Sequence, residues 1–274
     1  MRLGGPIFES YDDAKTWAHL VKKANYTAAL CPVDADAGDA VIASYANEAK
    51  KNNIVIAEVG VWNNPITTDN EKRKQAIEFC KKKLALSEQI GALCCVNIAG
   101  SRGEKWDGPH PDNFKKDTFA LIVDTVREII DSVKPRQTYY TLEPMPWIFP
   151  DTPESYLKLI KAIDREAFAV HLDPVNMIIS PQIYLNNGDF LRECFRLLGP
   201  YIKSCHAKDI IMDEVFVTHI SEVAPGQGVL DYKTYISEIN KINPDIPLIV
   251  EHLTTKEEYE SAADYILSIA ASLT

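Results

Sequence analysis

Short apolar runs, several of them rich in β-branched and aromatic residues, recur along the whole chain, and longer amphipathic stretches separate them. Most of these runs are continuously apolar without polar alternation, as expected for strands that are covered on both faces. The runs predict eight strands: Arg2 to Leu3 with the Gly4-Gly5 turn, Thr27 to Pro32, Ile54 to Val61, Leu93 to Ala99, Thr138 to Glu143, Phe168 to Asp173, Ile202 to His206, and Leu248 to Glu251.

The stretches between the runs have the periodicity and punctuation of helices. After Thr118, apolar residues recur on one helix face, at Phe119, Ile122, Val123, Val126 and Ile130. Helix starts are predicted at the Thr68/Glu71 and Thr255/Glu258 capping boxes and at Thr152-Pro153.

The regular alternation of strand and helix predicts an α/β protein. Eight such units predict a closed (β/α)8 TIM barrel, with an open doubly wound sheet as the alternative. A length of 274 residues allows two domains, but one barrel needs roughly 250 residues. We therefore expect a single barrel domain over residues 1–274.

Four polar residues end consecutive predicted strands in the second half of the chain. They are Glu143, Asp173, His206 and Glu251, separated by 30, 33 and 45 residues. In a parallel barrel the carboxyl ends of the strands meet at one mouth, so these side chains are predicted to converge there. Each acid alone could cap a helix or pair with a surface base, but four in succession favour one shared site. Oxygen and nitrogen donors of this kind suit a divalent cation.

Strand periodicity places His171 on the same face as Asp173, one layer deeper, where an interior hydrogen-bonded histidine is expected. Several carboxylates buried in one place require a cation or arginines to balance their charge. A cation is the simpler prediction.

Composition and charge narrow the function classes. The chain is 46% hydrophobic and 25% charged, and no segment approaches the ~18 uninterrupted apolar residues of a membrane span. Its formal charge of -10 opposes binding to nucleic acid, which depends on Lys and Arg contacts to phosphates. The six cysteines lack paired CxxC spacing, and the N-terminus lacks the apolar core of a signal peptide, so we expect reduced thiols and a cytoplasmic protein.

Five motifs carry a resemblance to a known family: LEP at 142–144, HLDPVN at 171–176, CHAKD at 205–209, PGQGVLDY at 225–232 and VEH at 250–252. With the strand order, they resemble the sugar phosphate isomerase/epimerase family, whose fold is a xylose isomerase-like barrel and which includes ketose 3-epimerases. The resemblance implies one divalent cation, Mn²⁺ in our prediction with Mg²⁺ or Co²⁺ as alternatives. It implies that Glu143, Asp173, His206 and Glu251 are the metal ligands.

Two departures from the ketose 3-epimerases concern the substrate. This chain has Asn176 where those enzymes carry a histidine, and Ile210-Ile211-Met212 where an arginine follows the metal histidine. The resemblance therefore implies the metal site more directly than epimerisation of a free ketohexose. The nuclease branch of the family needs further histidines, and predicted strands three and four offer none.

Substrate contacts are predicted from residues at the carboxyl ends of strands and in the following loops. These candidates are Trp62, Asn63, Trp147, Asn176, Lys208 and His219. The tryptophans could instead be lids or contacts in a homo-oligomer, Lys208 could pair with an acid, and His219 could be a solvated residue of the long loop after strand seven. Gly226-Gln227-Gly228 could bind an anion through backbone N–H groups or form a tight turn.

The predicted chemistry is proton transfer on a small sugar or polyol substrate. Glu143 and Glu251 would remove and return a proton on opposite sides of a substrate whose carbonyl is polarised by the cation. Return of the proton to the opposite face of the same carbon is epimerisation, and return of the proton to the neighbouring carbon is aldose-ketose isomerisation. A dehydratase or lyase acting on a keto-polyol, a non-catalytic sugar-binding barrel and a metal hydrolase are the alternatives.

Overall fold

A computed structural model describes residues 1–273, and within them eight parallel strands form one nearly closed barrel. The barrel strands are β1 (Arg2–Gly4), β2 (Ala28–Leu30), β3 (Val55–Gly60), β4 (Cys94–Asn97), β5 (Tyr139–Leu142), β6 (Phe168–Leu172), β7 (Ile202–Ala207) and β10 (Pro247–Val250). Their order is β1-β10-β7-β6-β5-β4-β3-β2. The Thr27 N–H donates to the Leu3 carbonyl at 2.9 Å, so the first two strands also approach each other. The predicted barrel is confirmed.

Helices cover the outside of the barrel. They are α1 (Ala14–Lys23), α2 (Asp39–Lys51), α3 (Asn70–Ile90), α4 (Lys116–Val133), α5 (Pro153–Ile163), α6 (Pro181–Leu185), α7 (Asn187–Leu198), α8 (Tyr232–Ile242) and α9 (Lys256–Ser272). No helix within residues 1–273 combines the length and apolar character that a membrane crossing requires.

Two of the three predicted helix starts are confirmed. Thr152 and Thr255 each form a reciprocal capping box with the third residue of their helix. The Thr68/Glu71 box is wrong, because the N-cap of α3 is Asp69, whose carboxylate accepts from two backbone N–H groups of the first turn. The Asp69 carboxylate, one residue after Thr68, accepts hydrogen bonds from the free N–H groups of the first turn. Its negative charge is also the one that a helix N-terminus favours.

The main hydrophobic core lies between the strands and the helices, with Trp17 of α1 and Ile266 of α9 fully buried in it. A smaller cluster of Ala28, Ala57 and Ile249 lies inside the barrel, where β10 meets strands that are not its neighbours in the sheet. The interior is therefore a packed core rather than a pore.

Two buried tyrosines from the outer helices contact the strand backbones near the mouth. The Tyr156 hydroxyl of α5 donates to the Leu142 carbonyl at 2.6 Å and lies 3.1 Å from the Ala169 carbonyl. The Tyr235 hydroxyl of α8 donates to the His206 carbonyl at 2.9 Å. Each phenol thereby joins an outer helix to strands that carry residues of the mouth.

The stretch after β7 was predicted as a long loop, but it contains an antiparallel hairpin of β8 (Asp209–Asp213) and β9 (His219–Val223). The Asp209 carboxylate anchors its base by accepting from the backbone N–H groups of Ile210, Gly226, Gly228 and Leu230. The hairpin tip carries exposed apolar side chains, including Phe216. A turn that exposes apolar residues does not have the polar composition by which hairpins are recognised in sequence.

Candidate active site

The structure brings Glu143, Asp173, His206 and Glu251 together at the mouth of the barrel. One donor atom from each lies within 4.8 Å of the others. Glu143, Asp173 and Glu251 directly follow β5, β6 and β10, and His206 is near the end of β7. The cause is the parallel sheet, which places the carboxyl ends of these strands on one rim.

The geometry of this cluster fits a divalent cation. His206 Nδ1 lies 2.7 Å from Glu251 Oε1, 3.6 Å from Glu143 Oε1 and 3.9 Å from Asp173 Oδ2. Three of these atoms, His206 Nδ1, Asp173 Oδ2 and Glu251 Oε1, are buried without a hydrogen bond of good geometry to any residue of the described chain. An unsatisfied buried polar atom costs about 1–3 kcal/mol; of these three, the two carboxylate oxygens also lie within ion-pair distance of Lys208 Nζ. One imidazole nitrogen and three carboxylates would satisfy them by binding a hard-to-borderline cation.

Lys208 adds a buried positive charge to the same cluster. Its Nζ lies 2.7 Å from Asp173 Oδ2, 2.8 Å from Glu251 Oε1 and 3.6 Å from Glu143 Oε1. Burial opposes a charged lysine, but attraction to these carboxylates outweighs it and raises the pKa of Lys208 well above its ordinary value. Lys208 therefore stays charged and balances part of the acidic cluster.

Glu58 of β3 lies below the cluster and contacts two histidines. Its Oε1 is 3.3 Å from His206 Nε2, its Oε2 is 3.3 Å from His171 Nδ1, and Ser204 donates to the same Oε2 at 3.1 Å. A carboxylate only accepts, so Nε2 is the nitrogen through which His206 donates to Glu58, and its Nδ1 faces the other carboxylates. Metal-binding histidines are commonly oriented by such a contact.

The two glutamates have opposite electrostatic settings. Burial raises the pKa of Glu143 to about 7, against a partial lowering by His206. Burial also opposes ionisation of Glu251, but His206 and Lys208 outweigh it and hold the pKa of Glu251 well below its ordinary value. In the deeper layer, burial and then the neighbouring His206 lower the pKa of His171 to about 4, so this imidazole is neutral.

A cavity of about 480 Å³ lies over the cluster. Its walls are largely apolar and include three tryptophans, Trp62, Trp106 and Trp147. The indole N–H of Trp147 donates to the Asp107 carbonyl at 2.6 Å, which fixes that ring against the loop after β4. Apolar walls with a few convergent polar groups are typical of small-molecule sites.

Asn176, where ketose 3-epimerases carry a histidine, also lines this cavity. Its Nδ2 donates to Glu143 Oε1 at 2.9 Å, and its Oδ1 lies 3.5 Å from Lys208 Nζ. The amide therefore orients Glu143 from the side of the cavity.

Two predicted substrate contacts are not brought to the site. The Asn63 amide donates to the Ala76 carbonyl at 3.0 Å and accepts from Asn97 at 2.9 Å, so it fastens the loop after β3 to α3. His219 lies opposite Asp213 in the strand register, at the outer end of the hairpin, and its side chain is exposed.

The backbone N–H groups of the glycine turn at 226–228 do not bind an external anion. Gly226 N and Gly228 N both donate to Asp209 Oδ2, at 2.9 and 3.1 Å. The anion at this turn is therefore an internal carboxylate.

Sequence reasoning missed several residues around the cavity. His252 lies at the rim with a left-handed backbone (φ 60°), and its Nδ1 is 3.1 Å from Glu222 of β9. Glu222 Oε2 in turn lies 3.6 Å from Lys208 Nζ. His252 belongs to the VEH motif and could have been recognised as a neighbour of Glu251, whereas Glu222, Trp106 and Asp107 depend on hairpin and loop geometry.

The barrel and its carboxylate-histidine cluster define a class of protein with a polar site at the mouth of a (β/α)8 fold. Residues 18–269 match the xylose isomerase-like TIM barrel family, and the chain belongs to that family. Among curated proteins, no sequence matches this chain significantly.

Solved structures of this fold include epimerases and a dehydratase. D-Psicose 3-epimerase from Clostridium cellulolyticum H10, solved with D-tagatose, is 16% identical, with a TM-score of 0.71 over 100% of this chain and 99% of that one. The probable 3-DHS dehydratase AsbF from Bacillus anthracis is 15% identical, with a TM-score of 0.70 over 98% and 99%. A xylose isomerase-like TIM barrel protein from Mycobacterium smegmatis, in complex with magnesium, is 17% identical, with a TM-score of 0.68 over 96% and 91%. At these identities the likeness establishes the fold.

Proposed function

We propose that this protein is a divalent-metal-dependent sugar isomerase or epimerase that acts on a small keto-sugar or related polyol. The observation that carries the proposal is the convergence of Glu143, Asp173, His206 and Glu251 at the floor of a tryptophan-lined cavity. A polar floor under apolar aromatic walls is suited to a sugar, which presents hydroxyl groups at its edge and C–H groups on its faces.

In this proposal the four residues hold one divalent cation, Mn²⁺ first and Mg²⁺ or Co²⁺ as alternatives. Three buried ligand atoms of the cluster that lack a hydrogen bond of good geometry support a cation, and the related barrel protein from Mycobacterium smegmatis was crystallised in complex with magnesium. When bound, the cation supplies Lewis-acid polarisation of the substrate carbonyl.

Glu143 and Glu251 are the proposed proton-transfer pair. They follow β5 and β10, which β6 and β7 separate in the sheet, so the two carboxylates approach the cavity floor from different sides. One takes a proton from the carbon beside the carbonyl and the other returns it. Lys208 holds the oxygen on which negative charge develops, and Asn176 keeps Glu143 oriented.

A dehydratase or lyase acting on a keto-polyol is the second candidate. It is supported by the fold likeness to the probable 3-DHS dehydratase, which covers nearly the whole of both chains. The first step is the same proton abstraction, after which a hydroxyl on the next carbon leaves. A non-catalytic sugar-binding barrel is less well supported, because each predicted ligand is present and faces the cluster.

The test is solvent exchange during turnover in D2O. Purified protein loaded with Mn²⁺ is incubated with ketoses, aldoses, keto-acids and keto-glycosides, and the products are examined by NMR and mass spectrometry. We expect deuterium at the original stereocentre for an epimerase, at the former carbonyl carbon for an isomerase, or beside a lost hydroxyl for a dehydratase. Turnover without any incorporation would contradict the assignment of Glu143 and Glu251.

A further inference from the structure

A second space lies beside the cavity over the metal-ligand candidates, at the ends of β2 and β3. This second space, of about 290 Å³, is here called the Lys83 pocket. It shares Leu30, Glu58 and Trp62 with the main cavity, and Cys31, Asp34 and Lys83 are among its own lining residues. The two spaces are therefore adjacent, with Trp62 at their boundary.

Two independent features hold the Trp62 ring in this position. Its backbone has a φ of 53°, which is unusual for a bulky residue. The indole lies directly over Gly60, where an added Cβ would come within 2.3 Å of the indole nitrogen. Trp62 is nevertheless 41% exposed. The strained backbone of Trp62 and the lack of a side chain at Gly60 together keep this aromatic ring exposed. This arrangement indicates that the ring contacts a ligand.

The charges of the Lys83 pocket favour an uncharged, hydroxylated ligand. Lys83 Nζ lies 5.5 Å from the Phe79 ring, and across residues 1–273 neither Lys83 nor Asp34 has an ion-pair partner. Sugar hydroxyls can accept from the ammonium and donate to the carboxylate. A phosphate would meet the carboxylate of Asp34 as well as Lys83, and the chain's net charge of -10 disfavours it further.

We infer that the substrate has two rings. A keto-sugar ring lies over the metal-ligand candidates, and a second, uncharged sugar ring linked to it through a glycosidic bond occupies the Lys83 pocket, with Trp62 packed between them. A free monosaccharide over the metal-ligand candidates would leave the Lys83 pocket without contacts. This inference rests on the proposed function and adds its substrate class, a keto-glycoside.

The experiment compares one reacting ring in two forms. A hexopyranose with a ring ketone is supplied free and as the same ring linked through its anomeric carbon to glucose, and kcat/KM for deuterium incorporation is measured for both. We expect the linked form to be the better substrate by at least about ten-fold, the equivalent of one well-packed aromatic contact. Trp62→Ala and Lys83→Ala should each lower the ratio of linked to free substrate.

Lys82→Ala is the matched control, because Lys82 pairs with Asp36 outside the pocket and its loss should leave the ratio unchanged. Gly60→Ala keeps the tryptophan but displaces its ring, and should lower the ratio even if Trp62→Ala does not fold. Three results would overturn the inference: a free sugar that is an equal or better substrate, a ratio that these variants do not change, or a preference for a phosphorylated monosaccharide. In each of these cases deuterium exchange would still be observed, and the proposed function would stand. No exchange with either form would overturn both.

Discussion

Glu58→Gln tests whether the residue below the cluster controls metal affinity. The substitution keeps the size of the side chain but removes the charge that faces His206 and His171. An amide has only one acceptor oxygen, so it cannot accept from both His206 Nε2 and Ser204 with two separate oxygens as the carboxylate does. His206 then loses part of the contact that orients its Nδ1 toward the metal position.

The expected magnitude follows from the two contact distances. Loss of a residue that orients a metal ligand typically weakens metal binding by about 10–100-fold. Both glutamate-histidine distances are 3.3 Å, whereas strong charge-assisted hydrogen bonds are roughly 2.7–2.9 Å long. We therefore expect the lower end of the range, a loss of about ten-fold or about 1.4 kcal/mol.

The assay is competition for Mn²⁺ or Co²⁺ against a chelator of known affinity, with the number of ions per chain measured in parallel. Ser204→Ala is the control, because it removes the serine hydroxyl that donates to Glu58 but keeps both contacts between Glu58 and the imidazoles. It should lower the metal affinity less than Glu58→Gln does. Unchanged affinity in folded Glu58→Gln would refute the orienting role. Two ions in the wild type and one in the variant would show instead that Glu58 is itself a ligand.

Three further predictions concern metal content, the cavity wall and the hairpin. His206→Ala and Asp173→Ala should each lose the cation, measured by elemental analysis, yet keep a cooperative melting transition because residues at this mouth contribute more to function than to stability; retained metal would contradict the ligand assignment. Trp147→Ala should raise KM more than it lowers the melting temperature, and an unchanged KM would make that ring structural. Asp209→Ala leaves buried N–H groups without their acceptor and should lower the free energy of unfolding by at least about 2 kcal/mol. Urea denaturation measures this loss, with Asp213→Ala at an exposed position as the control. Equal stability of the two variants would contradict the anchoring role of Asp209.

The convergence of the four strand-end residues could be predicted because it depends only on strand order and direction. Once the apolar runs are parallel neighbours, Glu143 and Asp173 must lie on one rim whatever the loops do. The contact of Glu58 with His171 could not be predicted in the same way, since β3 and β6 are not neighbours in the sheet and these side chains meet across the barrel interior. Such a contact depends on how the barrel closes, which has no signature in the hydrophobic pattern.

Loop residues were the least predictable part of the site. Asn63 directly follows Trp62, yet the ring faces the cavity while the amide bonds to α3, because the left-handed backbone at Trp62 redirects the chain. The glycine turn has the composition of an anion site, and its N–H groups do bind an anion. Only the tertiary structure shows that this anion is Asp209 of the same chain.

The tyrosines that reach the strands from outside the barrel bear on the choice of ion. Tyr156 bridges the backbones that lead into Glu143 and His171, and Tyr235 holds the backbone of His206 itself. Both phenols belong to helices that contribute no residue to the lining of the cavity, and they fasten the ends of strands whose spacing is set by the hydrogen bonds of the sheet. Ionic radius is what distinguishes Mg²⁺, Mn²⁺ and Co²⁺ for a fixed set of oxygen and nitrogen donors. If the four residues hold a cation as proposed, these two phenols would help to keep the donor positions against which an ion is selected, from the far side of the barrel wall.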